Sequence, residues 1–236
     1  MYNIPVKKES EYAIFNYQRS DNCLIEELSS YLDSQVERII KFFNVKLPNE
    51  KLIINIIATK KEFDEIFKTQ HNLNNDFLVP KWSIGEYLAN KNCINYLSIN
   101  DYKNTTHAFT EDSLLTAVEH YKKTLVHEFV HYINQLFNIQ NDNGWTSKYL
   151  REGIAVYLSG QKENQHIAFD FTLEELLETD VAKSCYNGYY LITKYLVENY
   201  DKDVILNLFT SSNQSRRFLE QELYNKAKQY YAGIVF

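Results

Sequence analysis

Thr124-Leu125-Val126-His127-Glu128-Phe129-Val130-His131-Tyr132 lies inside a long helical pattern, with Leu114, Leu115, Val118, Tyr121, Leu125, Val126, Phe129, Val130, Ile133, Leu136 and Phe137 at helical spacing. No proline or glycine interrupts it. Residues four apart on a helix project from one face, so His127 and His131 stand side by side and can grip one ion. Zinc accepts neutral imidazole nitrogen, and a hydrolytic site adds a third protein ligand and an open position for water. Glu128 follows the first histidine directly, which places its carboxylate beside such a metal rather than on it. That is the position of a general base taking a proton from attacking water. The stretch therefore predicts a core-packed helix that carries metal-assisted hydrolysis on one face.

A third ligand must come from elsewhere. The extended pattern H-E-x-x-H-x-x-G-x-x-H fails, because Asn134 stands where glycine should be and Phe137 or Asn138 where a third histidine would fall. Downstream carboxylates are Asp142, Glu152, Glu163, Asp170, Glu174 and Glu175. Glu152 has the best surroundings, within the apolar run Tyr149-Leu150-Arg151-Glu152-Gly153-Ile154-Ala155-Val156-Tyr157-Leu158. A carboxylate buried there without a partner would be costly, and a metal supplies the partner. Residues 132–151 suffice to end one helix, turn at Asn141-Asp142-Asn143-Gly144 and start a second, antiparallel one. Gly153 and Ala155 lack bulk, and would let that second helix approach the first closely.

H-E-F-V-H followed by L-R-E-G-I-A-V-Y resembles the gluzincin metallopeptidases, in which the glutamate of an E-G-hydrophobic-A motif is the third zinc ligand. The likeness is greatest to the compact peptidase-MA-like proteins and weaker to the aminopeptidases of the same clan. It implies a zincin-like α+β fold, a bound Zn2+ held by His127, His131 and Glu152, and hydrolysis of a peptide or protein substrate with Glu128 as general base. Cys185-Tyr186-Asn187-Gly188-Tyr189-Tyr190-Leu191-Ile192-Thr193-Lys194-Tyr195-Leu196 is similar to the family's later helix, which makes Tyr186 the expected donor to the developing oxyanion. Tyr189 and Tyr190 compete for that role. Two departures stand out: Tyr149 replaces the aminopeptidases' usual tryptophan three residues before the ligand glutamate, and their glycine-rich exopeptidase motif is missing. A second reading keeps the zincin-like domain but uses it as a binding or regulatory module without peptidase activity; a third makes it a structural helical protein.

The rest of the chain sets bounds on these readings. Its 236 residues, 44% hydrophobic and 15% aromatic, can bury a sizeable core. A net charge of only -6, with both signs interspersed, implies neither nucleic acid nor an anionic membrane as partner. Cys23, Cys93 and Cys185 lie far apart and read as free thiols in a reducing compartment. No signal-peptide-like run opens the chain and no segment approaches eighteen apolar residues, so a soluble, cytoplasmic protein is expected. Oligomeric state has no signature here.

A strand is expected within 11–18, then a helix capped by Ser20 or Asp21 reaching Phe43, then a central strand over Lys51–Ala58. Thr59 should cap a short helix to about Thr69. The polar, asparagine-rich segment from Gln70 to Asn92 reads as a loop anchored by Trp82 and Gly85. Cys93–Ile99 alternates as a strand, and by the resemblance it is the edge strand to which an extended peptide adds by β-augmentation. His107 is expected at the surface, His120 in the core or behind the site, and His166 exposed in a polar loop. Thr172 should cap a short helix, and helices should follow from Ser184 to Tyr200, Asp201 to Thr210 and Ser215 to Tyr231. The expected organisation is an α+β subdomain over 1–140, with a small sheet and the H-E-x-x-H helix, and an all-helical subdomain over 141–236 with the third ligand.

Overall fold

The computed structural model describes residues 6–102, 117–141, 148–177, 185–210 and 213–233, omitting side chains for 210–219. Its first half holds a five-stranded mixed sheet: β1 (Val6–Glu9), β2 (Ala13–Tyr17), β3 (Leu52–Ile57), β4 (Gly85–Leu88) and β5 (Cys93–Leu97). In space they run β1-β2-β3-β5-β4, with β2, β3 and β5 parallel and both outer strands antiparallel to their neighbours. The sheet and its surrounding helices make an α+β architecture.

Helices α1 (Asn22–Phe43), α2 (Lys60–Gln70) and the short α3 (Ile99–Tyr102) punctuate the strands. Helix α1 buries Ile25, Leu28, Leu32, Val36, Ile39 and Phe43, an i, i+3, i+4 stripe, and stops at Asn44, whose φ of 53° is left-handed. Asp21 precedes it without capping it. Its carboxylate instead accepts from Ser98 Oγ and from Asn100 Nδ2, which ties the start of α1 to the end of β5. Thr59 does cap α2, accepting from the Glu62 amide at 3.2 Å.

Side chains alternate across a strand, so the sheet has two unlike faces. Phe15, Ile54, Ile94 and Tyr87 are in register on the face that meets α4 (Ala117–Gln140), where Tyr87 packs edge-on to Tyr132. Asn16, Asn55, Asn95 and Glu86 are in register on the other face, and the three asparagines form an amide ladder of 2.9 and 3.1 Å.

Three strands depart from expectation. The loop expected over 70–92 contains β4, and β4 is an edge of the sheet; β5, expected at the edge, is internal between β3 and β4, with all five residues buried. Gly85-Glu86-Tyr87-Leu88 has neither β-branched residues nor clear alternation, so only pairing with β5 makes it a strand. Val6–Glu9 likewise becomes β1 by pairing with β2.

The second half is helical: α5 (Lys148–Ser159), α6 (Leu173–Leu177), α7 (Cys185–Asn199), α8 (Lys202–Thr210) and α9 (Asn213–Gly233). Thr172 caps α6, accepting from the Glu175 amide while Glu175 Oε2 accepts from the Thr172 amide. Helix α5 runs antiparallel to α4, since Lys123 meets Gly160 at one end and His131 meets Glu152 further along. The small residue at 153 serves a different neighbour from the one expected. A Cβ on Gly153 would lie 2.2 Å from Thr193 Oγ1 and 2.7 Å from the Tyr189 carbonyl oxygen, so the close approach is to α7, not α4. Buried residues of both halves form one continuous apolar cluster from Ala13 to Ala227. Helix α4 ends at Gln140, and the apolar cluster runs across that position. Leu114, Leu115, His107 and most of the Asn141–Gly144 turn lie outside the described residues. Among those described, no helix is long and apolar enough to cross a membrane.

Candidate metal centre

Helix α4 is buried on most of its circumference, so His127 and Glu128 are carried into the interior with Val126, Phe129 and Val130. Antiparallel α5 brings Glu152 up to them. Nε2 of His127 and Nε2 of His131 are 3.1 Å apart, and Glu152 Oε2 lies 3.3 and 3.4 Å from them. Tetrahedral coordination at zinc's usual bond lengths has ligand–ligand edges of about 3.3 Å. The triangle formed by these three atoms matches one face of that tetrahedron, and two imidazoles with a carboxylate form a donor set suited to zinc. Among the described residues this is the group of histidine, cysteine or acidic side chains that can hold a metal ion.

The charges within the cluster are mutually dependent. Burial pushes the Glu152 carboxyl up, but His131 and His127 outweigh it and hold the group well below the usual carboxylate range. For His127 burial favours the neutral ring, while hydrogen bonding to Glu152 and the nearby Glu128 carboxylate raise its pKa above the ordinary histidine value. Arg151 Nη2 sits 3.3 Å from Glu152 Oε1, the oxygen turned away from the imidazoles. That contact leaves Oε2 to face the histidines.

Strand β4 also reaches Glu128. The Tyr87 amide donates to Glu128 Oε2 at 3.0 Å, and a Cβ on Gly85 would stand only 2.8 Å from Glu128 Cγ. A residue without a side chain is needed for the strand to run this close. Glu128 therefore lies beside the triangle, anchored from the sheet, and is not part of it.

Tyr186, near the start of α7, places its ring 6.3 Å from that of His127 and 6.1 Å from that of Trp82. Burial, reinforced by the Glu152 and Glu128 carboxylates, holds its hydroxyl well above the ordinary phenol range, so it remains a proton donor. The competing tyrosines are engaged elsewhere: Tyr189 donates to the Leu176 carbonyl at 3.2 Å, and Tyr190 stacks on Tyr157. Of the other histidines, His120 stacks on Tyr102 with 2.6 Å between its Nδ1 and the Tyr102 hydroxyl, and His166 is exposed as expected.

Two contributors escaped sequence reading. One is the β4 backbone. The other is Gln161, expected only as part of a polar loop. Gly160, with φ of 69°, turns the chain at the end of α5, and Lys123 Nζ holds its carbonyl at 2.8 Å. Gln161 is thereby returned to α4, where its Oε1 is 2.9 Å from His127 Nδ1 and its Nε2 donates to Thr124 Oγ1 at 3.0 Å. A glycine ending the helix that carries Glu152 was the available signal. Comparison of the chain with protein-family models and with curated proteins gives no match.

Proposed function

We propose that this protein is a zinc-dependent peptidase of gluzincin type with a zincin-like fold, in which His127, His131 and Glu152 hold Zn2+. The observation that carries the reading is the convergence of three ligand atoms at 3.1, 3.3 and 3.4 Å with Glu128 anchored alongside. When bound, the metal supplies an activated water near neutral pH and polarises the scissile carbonyl. Glu128 takes the proton from the attacking water and passes it to the leaving amine, with the Tyr87 amide holding one of its oxygens in place. Tyr186 donates its hydroxyl hydrogen to the oxyanion as it develops. An extended substrate would lie along the open side of β4, the strand that forms the sheet edge beside Glu128.

Glu128→Gln is the decisive variant. It should retain one zinc per chain and lose cleavage of a mixed peptide library, while His131→Ala should lose both. Undiminished cleavage by Glu128→Gln would refute the mechanism. Stoichiometric zinc without chelator-sensitive cleavage by the wild-type protein would assign the site to binding or regulation instead.

A further inference from the structure

The loop that leads into β4 exposes apolar surface close to the candidate site. Phe77, Leu78 and Trp82 are large apolar side chains left open to solvent within it. Its course is nonetheless fixed. Val79 and Ile84 are buried on either side, and the Ser83 amide donates to the Pro80 carbonyl at 3.0 Å, closing a turn that presents Trp82. Trp82, expected as an anchor of this loop, stays 40% exposed, while Val79 and Ile84 do the anchoring. The indole reaches the helical half of the chain. Its ring meets that of Tyr186 edge-on at 6.1 Å, and the Tyr186 ring is in turn 6.3 Å from that of His127. Three positions after Trp82, Gly85 lies against Glu128. Trp82 is thus tied by its backbone to the strand beside Glu128 and by its ring to the tyrosine beside His127.

We propose that Trp82 is a specificity-determining residue: its exposed surface forms one wall of the subsite for a residue flanking the scissile bond, and selects peptides with a large apolar side chain, aliphatic or aromatic, at that position. This assignment rests on the peptidase reading above. The chemistry follows from what the ring offers. An indole face supplies apolar area and dispersion contact without charge, and covering it with an apolar side chain removes both surfaces from water. An ionised side chain laid on the same face gives up hydration instead. A closed apolar pocket discriminates one missing methylene by about 10–200-fold, and a wall on one side gives less per methylene. Leucine or phenylalanine in place of alanine should therefore raise kcat/KM by about 10–50-fold.

The probes are short blocked alanine-rich peptides with one variable residue, alanine, leucine, phenylalanine or aspartate, and mass spectrometry locates the bond cut in each. The readout is the ratio of kcat/KM values for the phenylalanine and alanine peptides cut beside that residue. Any loss of support for Tyr186 slows every peptide alike and cancels in this ratio. Trp82→Ala should reduce it to about 2–3-fold, and Trp82→Phe, which keeps an aromatic wall, should retain most of it. A second readout needs no turnover. In the zinc-loaded Glu128→Gln protein, the phenylalanine peptide should bind more tightly than the alanine peptide and change the tryptophan emission. That change should vanish when Trp82→Phe is added. The proposal is overturned if the wild-type protein prefers alanine or aspartate, if Trp82→Ala leaves the ratio unchanged, or if the emission change survives Trp82→Phe. Should the wild-type protein cut no peptide at all, the peptidase reading falls, and the binding titration alone decides Trp82: tighter binding of the phenylalanine peptide with a Trp82-dependent emission change upholds the wall, and equal binding of both peptides removes it.

Discussion

Replacing Gly85 by alanine tests the contact between the sheet edge and Glu128. The added Cβ would lie 2.8 Å from Glu128 Cγ and 2.9 Å from two ring carbons of Tyr96, whereas ordinary contact begins at 3.4 Å. About 0.6 Å must therefore be found. Tyr96 cannot yield it, being fully buried with its hydroxyl donating to the Tyr121 carbonyl. Either Glu128 swings away or β4 lifts, and both loosen the 3.0 Å bond from the Tyr87 amide. Because a 1 Å misplacement of a reacting group costs on the order of 100-fold, turnover should fall roughly tenfold at unchanged KM. Stability should fall by about 1–2 kcal/mol. Overpacking costs about 1–3 kcal/mol, and the smaller conformational freedom of alanine in the unfolded chain returns about 0.4–1 kcal/mol at a backbone position outside the left-handed region. Zinc affinity should not change, because no ligand is touched. Steady-state kinetics, zinc titration, urea unfolding and amide exchange at Tyr87 measure each part separately. Full turnover with normal protection of the Tyr87 amide would refute the reasoning, as would a loss of turnover that simply followed a loss of zinc.

Tyr186→Phe should lower kcat by about 10²–10³-fold with zinc affinity intact, whereas Tyr189→Phe, whose hydroxyl serves the Leu176 carbonyl, should leave kcat alone and cost about 1 kcal/mol of stability. Equal kinetic effects from the two variants would remove Tyr186 from the oxyanion role. Asn55→Ala cuts the amide ladder between Asn16 and Asn95 and should destabilise by about 1–3 kcal/mol in urea titration, with no effect on zinc binding. Glu86 yields a pH prediction. Burial raises its carboxyl pKa, the paired His71 lowers it in part, and the nearby Glu128 raises it. A raised folded-state value means a stabilising contribution that is complete below the unfolded pKa and is lost as pH climbs through the folded one. Glu86→Gln should therefore match the wild type at strongly acidic pH and gain on it above about pH 4.5, read as the difference in unfolding midpoints. A gap that widened on acidification would reverse the sign and sink this account.

The H-E-x-x-H helix and Glu152 were legible because their signals are local. A 3.6-residue period puts His127 and His131 on one face whatever surrounds them, and an acid inside an apolar run announces a need for a partner. The same locality made α1, β3 and the Thr59 and Thr172 caps readable, since each is written in neighbouring residues. It misled at Asp21, a good cap by type, whose carboxylate is claimed by Ser98 and Asn100 some eighty residues away.

From the chain alone come the pattern of helices, the ligand-type residues and their spacing, because backbone period and side-chain chemistry are properties of short segments. Tertiary structure alone decides that a glycine-led, weakly patterned segment is an edge of the sheet, that Gly153 makes room for α7, and that Tyr186 is the tyrosine beside His127 while Tyr189 is engaged at Leu176. It also decides the supports, with the Tyr87 amide reaching Glu128 across 41 positions and Gln161 reaching His127 across 34. Contacts over such separations depend on how whole elements pack, and no local pattern encodes them.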